Sequence, residues 1–214
     1  MSDPDARSTR QFSALFPESG IPLVLKALRR GCAGFKKDSE SELENQITMR
    51  LYKRLAREYL FRDGQFEIRP QVPVVDLATD DASITGQVDL MVSCCRGADV
   101  YFAIEAKRLR VRGKDGKIDA LAADYVKDGM MRFVSGQYAS KMQSGAMLGY
   151  VFDGKVILAR QNVTSAIDER ATTLHLCGGK GLFKSCILAR ESIDETLHDL
   201  AGRSFTIYHL LVAV

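Results

Sequence analysis

The chain has 214 residues, of which 46% are hydrophobic and 27% charged, an ordinary globular composition with room for a sizeable core in one domain. The net charge of +3 at pH 7 permits a nucleic-acid partner but does not require one. Residues 1–10 are polar and lack the apolar segment of a secretory signal, and no apolar stretch approaches the roughly 20 residues that span a bilayer. We therefore expect no membrane partner.

The first part of the chain predicts two helices and an extended segment. A short helix is expected over 21–30, ending at Gly31, and a longer one over 39–61. The longer helix has apolar residues at every fourth position, namely Leu43, Ile47, Leu51, Leu55 and Tyr59. Residues 66–75 are extended but contain Pro70 and Pro73, which favours an edge strand.

Two strands are predicted next, over 85–95 and 100–109. The turn-rich link between them, 96–99, is too short for a crossover, so we expect an antiparallel hairpin. The predicted elements that follow are a basic loop over 110–117, a long helix over 118–142, a strand over 148–152, a helix over 155–170, and strands over 172–176, 182–189 and 205–212, the last with a helical alternative. This order predicts an α/β fold with a mixed central β-sheet flanked by helices.

The cysteine pattern indicates a reducing, cytoplasmic environment. The five cysteines are an odd number, two of them are adjacent, and no Cys-x-x-Cys pair suggests zinc. Most lie in apolar runs and are predicted to be buried thiols. The three histidines, His175, His198 and His209, do not cluster and are predicted to be structural.

Two acids and a lysine stand in or beside apolar strands: Asp89, Glu105 and Lys107. An unpaired charge is costly to bury, so these carboxylates predict a divalent cation such as Mg²⁺, with Mn²⁺ as a substitute. Glu105 and Lys107 are two residues apart and face the same side of a strand, where the lysine can orient or deprotonate an attacking water. A strand-end salt bridge is the alternative.

Three further residues are candidates for accessory roles. Glu44 lies at the edge of the apolar stripe of the second helix, whereas Glu42 falls away from it; an acid favoured by the helix dipole is the alternative for Glu44. Gln137 could bind water or phosphate, or be a solvated helix residue. Arg132 could contact phosphate or lie on the surface.

The segment after Lys107 is basic and predicts contacts with a phosphate backbone. A solvated charged loop is the alternative. The candidate contacts are Arg108, Arg110, Arg112 and Lys114, together with Arg132.

The Asp89 and Glu105-Ala106-Lys107 motif, with Glu44 and Gln137, resembles the PD-(D/E)xK nuclease superfamily over roughly 39–152. Val88 stands where that family often has proline. The resemblance implies a restriction-endonuclease-like core and Mg²⁺-dependent cleavage, with Asp89 and Glu105 as metal ligands, Lys107 catalytic, and Glu44 and Gln137 accessory. We divide the chain into an N-terminal segment, 1–38, and a nuclease-like domain, 39–214, whose part after 152 carries no assigned motif.

The function expected on these grounds is phosphodiester cleavage of nucleic acid, with a DNA endonuclease favoured. A restriction or phage-defence setting is an analogy only. A homodimer or a regulatory protein is a further expected partner, since one site per chain cuts one strand. The alternative is a catalytically silent subunit with the same core that binds DNA or assembles a complex.

Overall fold

The computed structural model describes residues 16–75, 84–94, 100–179, 181–188 and 191–214. Its helices are α1 (Ile21–Cys32), α2 (Glu44–Leu55), α3 (Tyr59–Arg62), α4 (122–134, with a π-helical turn at Tyr125–Met130) and α5 (Val156–Asp168). Its strands are β1 (Phe66–Val75), β2 (Ile84–Cys94), β3 (Tyr101–Leu109), β4 (Val111–Arg112), β5 (Ile118–Asp119), β6 (Ser144–Val151), β7 (Phe183–Lys184), β8 (Asp194–Leu200) and β9 (Arg203–Ala213).

A seven-stranded sheet forms the centre of the fold, in the order β1-β2-β3-β6-β9-β8-β7. β6 runs parallel to both of its neighbours, β3 and β9, and all other pairs in this sheet are antiparallel. Every residue of β6 is buried, as expected for a parallel strand covered on both faces. The predicted α/β class with a mixed central sheet flanked by helices is confirmed.

The predicted hairpin of two strands is confirmed as β2 and β3, which pair antiparallel, although the link 95–99 lies outside the described residues. Among the described strands β1 pairs only with β2 and lies at one edge of the sheet, as its prolines predict. Gln71 interrupts β1 with a left-handed φ of 47° between Pro70 and Val72.

The long helix predicted over 39–61 is wrong in its bounds. The helix begins only at Glu44, where the N–H of Leu43 donates to Gln46 Oε1 at 3.0 Å, and it ends at Leu55 before the short α3. Three of the five periodic apolar residues are buried, but Leu43 and Tyr59 lie outside α2 and are 58% and 72% exposed. The repeat therefore identifies the buried face of α2 but not its length.

The helix predicted over 118–142 is also shorter in the structure. Residues 118–119 form β5, and Leu121 adopts a left-handed φ of 51° immediately before α4. At the other end, Gly136 has a φ of 76°, which terminates the helical segment. α4 packs against the sheet through its π-helical turn and through Phe133 in its last turn, whose ring lies 5.9 Å from that of Phe205 on β9.

Several predictions after residue 109 need correction. The 110–117 loop is part of a two-stranded ribbon, β4 with β5. Residues 172–176 form turns with a bridge at Leu176, and of the described residues 182–188 only those of β7 form a strand. The strand β6 begins at Ser144 rather than 148, and β8 was not predicted at all. The α5 helix and the β9 strand are confirmed, so the helical alternative for β9 is wrong.

The cysteines are less buried than predicted. Among the described ones, Cys32 is buried, Cys94 and Cys177 are half-buried and Cys186 is exposed; all four are free thiols. Cys32 lies on α1, which contributes Leu25 and Leu28 to the same hydrophobic core as the sheet. Burial raises the pKa of the Cys32 thiol to about 12, so this thiol is inert.

Two of the three histidines form a buried polar chain beneath α4. His198 Nδ1 lies 2.7 Å from the carbonyl oxygen of Leu174 and must donate, so the neutral ring accepts from Thr196 through Nε2 at 2.8 Å. Thr196 then accepts from His209 Nε2 at 3.0 Å, and His209 Nδ1 accepts from the Tyr125 hydroxyl at 2.9 Å. The prediction of structural roles for His198 and His209 agrees with this satisfied chain.

Candidate metal and phosphate site

The two strand-borne carboxylates meet where the β2–β3 ladder stops. The last backbone pair of that ladder is Leu90 with Ile104. One residue further along, Asp89 Oδ2 accepts the backbone N–H of Ala106 at 2.8 Å. The side chain of Asp89 thus takes the place of a strand partner, and this bond holds it beside Glu105.

Glu105 is the most deeply buried acid of the site, with 0% exposure. Its Oε1 lies 2.7 Å from Lys107 Nζ and 3.0 Å from Arg132 Nη1. Its Oε2 is buried and has no hydrogen-bond partner among the residues that the structure describes. Burial and the neighbouring Asp89 raise the pKa of Glu105 to about 8, although Lys107 and Arg132 oppose this rise.

Burial also raises the pKa of Asp89, against the opposing effects of the Ala106 N–H bond and of Lys107. Both acids of the pair are therefore held in surroundings that disfavour their charged forms. Such a pair gains from a cation that neutralises it.

Lys107 lies at the centre of the polar contacts. Its Nζ contacts Glu105, Glu44 Oε1 at 2.9 Å and the carbonyl oxygen of Ala106 at 2.9 Å. Burial alone would lower the pKa of Lys107, but the carboxylates of Glu105 and Glu44 outweigh burial and raise it. The amine is therefore protonated in this arrangement, so its chemistry is that of a fixed cation rather than a base.

Glu44 joins the first turn of α2 to β3. While Oε1 accepts from Lys107, Oε2 accepts the backbone N–H of Arg108 at 3.0 Å. The prediction that Glu42 turns away from the core is wrong: it precedes the helix, is 5% exposed, and binds Arg50 at 2.8 Å. Glu44 alone of these two acids reaches the site lysine.

The π-helical turn of α4 lies against Lys107. A Cβ on Gly129 would fall 2.4 Å from Met147 Cε and 3.5 Å from Lys107 Cγ, so this glycine allows α4 to approach the sheet at the lysine stem. π-helical turns are rare and occur frequently at functional sites. Gly129 thus has a packing role within α4.

Arg132 and Tyr138 bridge the two carboxylate strands. Arg132 Nη1 contacts both Glu105 and the Tyr138 hydroxyl, the latter at 2.5 Å, and that hydroxyl donates to the carbonyl oxygen of Gln87 on β2. Tyr138 is fully buried. Tyr138 carries no recognisable signal in the sequence, because its acceptor on β2, Gln87, lies 51 residues away along the chain.

Gln137 lies in the turns after α4 rather than in a helix. Its side chain is half-buried and packs against Gly86, three residues before Asp89: a Cβ on Gly86 would fall 2.4 Å from Gln137 Nε2. Its accessory role stays a prediction.

The predicted phosphate contacts differ in how their side chains are used. Arg108 Nη1 donates to the Glu42 carbonyl oxygen at 3.1 Å. Arg110 is bound by Asp153 through contacts of 2.8 to 3.0 Å and by Asn162 at 3.1 Å, and its side chain is only 12% exposed. Arg112 and Lys114 are exposed on the ribbon. The structure therefore separates two anchored arginines from two solvent-facing cations.

A Mg²⁺ ion fits the donor set of Asp89 and Glu105. The unpartnered Glu105 Oε2 is a buried carboxylate oxygen of the kind that a hard cation binds. In the part of the chain that the structure describes, no three His, Cys, Asp or Glu side chains are grouped closely enough to hold a metal by themselves. Because Mg²⁺ usually takes one or two carboxylates and keeps several waters, two acids are sufficient.

Comparison of the chain with family models, with curated proteins and with solved structures finds no match. Across the described ranges, no helix has both the length and the apolar composition to cross a membrane.

Proposed function

We propose that this protein is a Mg²⁺-dependent phosphodiesterase that cleaves nucleic acid, with DNA as the favoured substrate and endonucleolytic cutting as the favoured mode. The observation that carries the proposal is Glu105 Oε2, a buried carboxylate oxygen to which no described residue makes a hydrogen bond, beside Asp89 and the protonated Lys107. A purely structural salt bridge would leave no such oxygen unsatisfied, because an orphaned buried acceptor costs about 1–3 kcal/mol. This supports a cation ligand over the salt-bridge alternative.

Asp89 and Glu105 would hold the ion, with Mn²⁺ able to substitute. When bound, such an ion supplies activation of water and stabilisation of charge on phosphate oxygens. Lys107 places a positive charge 2.7 Å from Glu105, next to where a phosphate would lie. Glu44 holds that amine by accepting from it at 2.9 Å. Because the pKa of Lys107 is raised, we assign it charge stabilisation of the phosphate and the leaving oxygen.

The mixed sheet also supports the proposal that the fold has a restriction-endonuclease-like core. The two acids lie on adjacent antiparallel strands, β2 and β3, and β3 pairs in parallel with β6 on its other side. The cation-rich segment after Lys107 supports nucleic acid as the substrate.

The test is cleavage of supercoiled plasmid and of single-stranded DNA with Mg²⁺ or Mn²⁺, beside EDTA controls. The variants are Asp89→Asn, Glu105→Gln and Lys107→Met, which preserve side-chain size. Lys141→Met, at an exposed lysine, is the matched control. We expect metal-dependent cutting by the wild type and the control, and loss of at least about 100-fold in the three site variants.

Full activity in Asp89→Asn and Lys107→Met would refute the proposal. Intact DNA binding by a folded wild-type protein that does not cut with either metal would also refute it, and would favour the silent DNA-binding subunit.

A further inference from the structure

The segment after the site lysine is a built structure rather than a loose charged loop. β4 and β5 pair as Val111 with Asp119 and Arg112 with Ile118, and together with their turn they form what we call the basic ribbon, residues 111–119. It begins four residues after Lys107 on the same chain. At no more than about 3.6 Å per residue, its root lies within roughly 15 Å of the site.

The turn of the basic ribbon is held by its own hydrogen bonds. The N–H of Gly113 donates to the Lys117 carbonyl oxygen at 2.8 Å, and the N–H of Gly116 donates to the Gly113 carbonyl oxygen at 3.0 Å. Asp115 Oδ1 accepts the N–H of Lys117 at 3.0 Å, and Gly116 adopts a φ of 80°. The single acid of the turn therefore shapes the turn.

The root of the basic ribbon is fastened to the body of the protein by Arg110. Its guanidinium makes charge-assisted bonds with Asp153 beyond β6 and a bond with Asn162 on α5, and its N–H donates to the Ala120 carbonyl oxygen at 3.2 Å. The Leu109 carbonyl oxygen accepts the N–H of Phe152 at 2.9 Å. The ribbon thus projects from a fixed base, and its direction relative to the site is set by the fold.

The charge of the basic ribbon is presented to solvent. Residues 112–117 are all exposed and carry three cations, Arg112, Lys114 and Lys117, against Asp115; the second acid of the ribbon, Asp119, is exposed at its root. The side chain of Lys117 is 87% exposed. A fixed, exposed, cationic two-stranded element beside a phosphate site matches the geometry by which β-ribbons bind DNA.

We propose that the basic ribbon enters the major groove of duplex B-form DNA and delivers the duplex to the Asp89–Glu105 site. Two paired strands are about 5 Å apart before side chains are counted, so they fit a major groove about 12 Å wide and not a minor groove about 6 Å wide. The narrow, deep major groove of A-form RNA excludes such a ribbon. The inference deepens the proposed function and rests on it, since it names the substrate of the same site.

The experiment measures binding by fluorescence anisotropy in EDTA, so that no cutting is required. The probes are a DNA duplex of about two helical turns, one of its strands alone, and an RNA duplex of the same sequence. The ribbon variant is Arg112→Gln/Lys114→Gln/Lys117→Gln. The matched control removes three exposed cations elsewhere, Lys26→Gln/Lys53→Gln/Lys141→Gln, and gives the same net charge. Thermal melting verifies that both variants fold.

We expect the ribbon variant to lose at least about tenfold in affinity for duplex DNA near 0.1 M salt. Its log–log salt slope should fall by up to about 3, close to 0.9 for each lost phosphate contact. The control should stay within about twofold of the wild type. Dimethyl sulfate should find guanine N7, a major-groove atom, protected by the wild type and open with the ribbon variant.

An equal loss for single-stranded and duplex DNA, an equal loss in the control variant, or unprotected guanine N7 in the wild-type complex would overturn the groove assignment. These outcomes differ from failure of the proposed function. That function fails when metal-dependent cleavage is absent, whereas the ribbon assignment fails on the selectivity of binding even when cleavage is present.

Discussion

Replacement of Glu105 by glutamine should stabilise the metal-free protein at neutral pH while removing its response to Mg²⁺. The pKa of this carboxyl is about 8 in the folded protein against 4.5 ordinarily, so at pH 7 the folded state retains a proton that the unfolded chain has released. The stability that Glu105 contributes is present in full below about pH 4.5 and is lost as the pH rises towards 8. At about 1.4 kcal/mol per pH unit, the loss between pH 4.5 and 7 is about 3 kcal/mol.

The assay is urea unfolding of wild type and Glu105→Gln in EDTA at several pH values. The free energy of unfolding of the variant minus that of the wild type should increase by about 1.4 kcal/mol for each pH unit between about pH 5.5 and 7.5. Glu169→Gln is the matched control, because it makes the same substitution at a side chain that is 71% exposed. A difference between Glu105→Gln and wild type that is constant across this range would refute the reasoning.

The same variant tests the metal. Mg²⁺ at about 100 times its dissociation constant should raise the free energy of unfolding of the wild type by about 2.7 kcal/mol. Glu105→Gln should show no such gain, since an amide oxygen replaces the charged ligand. Equal stabilisation of both proteins would place the ion elsewhere.

Three other outcomes are expected. Thr196→Val should lower the free energy of unfolding in urea by about 2–5 kcal/mol, because it leaves His198 and His209 without their shared hydroxyl. Thr196→Ser keeps the hydroxyl and should lower it by less than about 1.5 kcal/mol; equal losses would contradict the hydrogen-bond chain. Burial and His198 lower the pKa of His209 to about 3, so its ring signals in NMR should stay constant from pH 7 to about 5; a titration midpoint near 6.5 would contradict this. Gly149→Ala should cost about 1–3 kcal/mol in thermal or urea unfolding, since its Cβ would meet leucine side chains at 2.5 and 2.7 Å, and an unchanged stability would show that β6 has room there.

The contact between Glu105 and Lys107 could be predicted because it is local. Two residues on one strand face the same side whatever the rest of the fold does, and the 2.7 Å contact follows from that alternation. The approach of Asp89 was predictable in the same way, from a short link that requires antiparallel pairing. Both contacts involve only residues on one strand or on two strands that follow each other along the chain.

β8 shows why other elements could not be predicted. Its inward residues include Thr196 and His198, which are both fully buried, so its buried face is polar and lacks the apolar alternation that marks a strand. Their burial is stabilised by a hydrogen-bond chain to His209 and Tyr125, which lie on other elements. No local pattern records such partners.

The bridge through Arg132 and Tyr138 could not be predicted for the same reason, because its partners lie on other elements. Each residue is consistent with a surface helix until the fold brings Glu105 and Gln87 to it. The ends of α4 depended on backbone conformations as well, including a left-handed φ at Leu121, which sequence periodicity does not reveal.

The broken edge at β1 limits how copies of this protein can assemble. Pro70 and Pro73 are an odd number of residues apart and pair with β2 in the same register, so their backbone nitrogens face opposite sides of β1. One of the two prolines therefore removes an N–H donor from the outer side of the strand. Gln71 bends the backbone between them. A second molecule could not continue the sheet across this edge, which also protects the protein against strand-to-strand aggregation. If the proposed nuclease acts as a dimer that brings two sites to opposite strands of a duplex, its interface does not extend the sheet at β1, and the geometry of that interface sets the spacing of the two cuts.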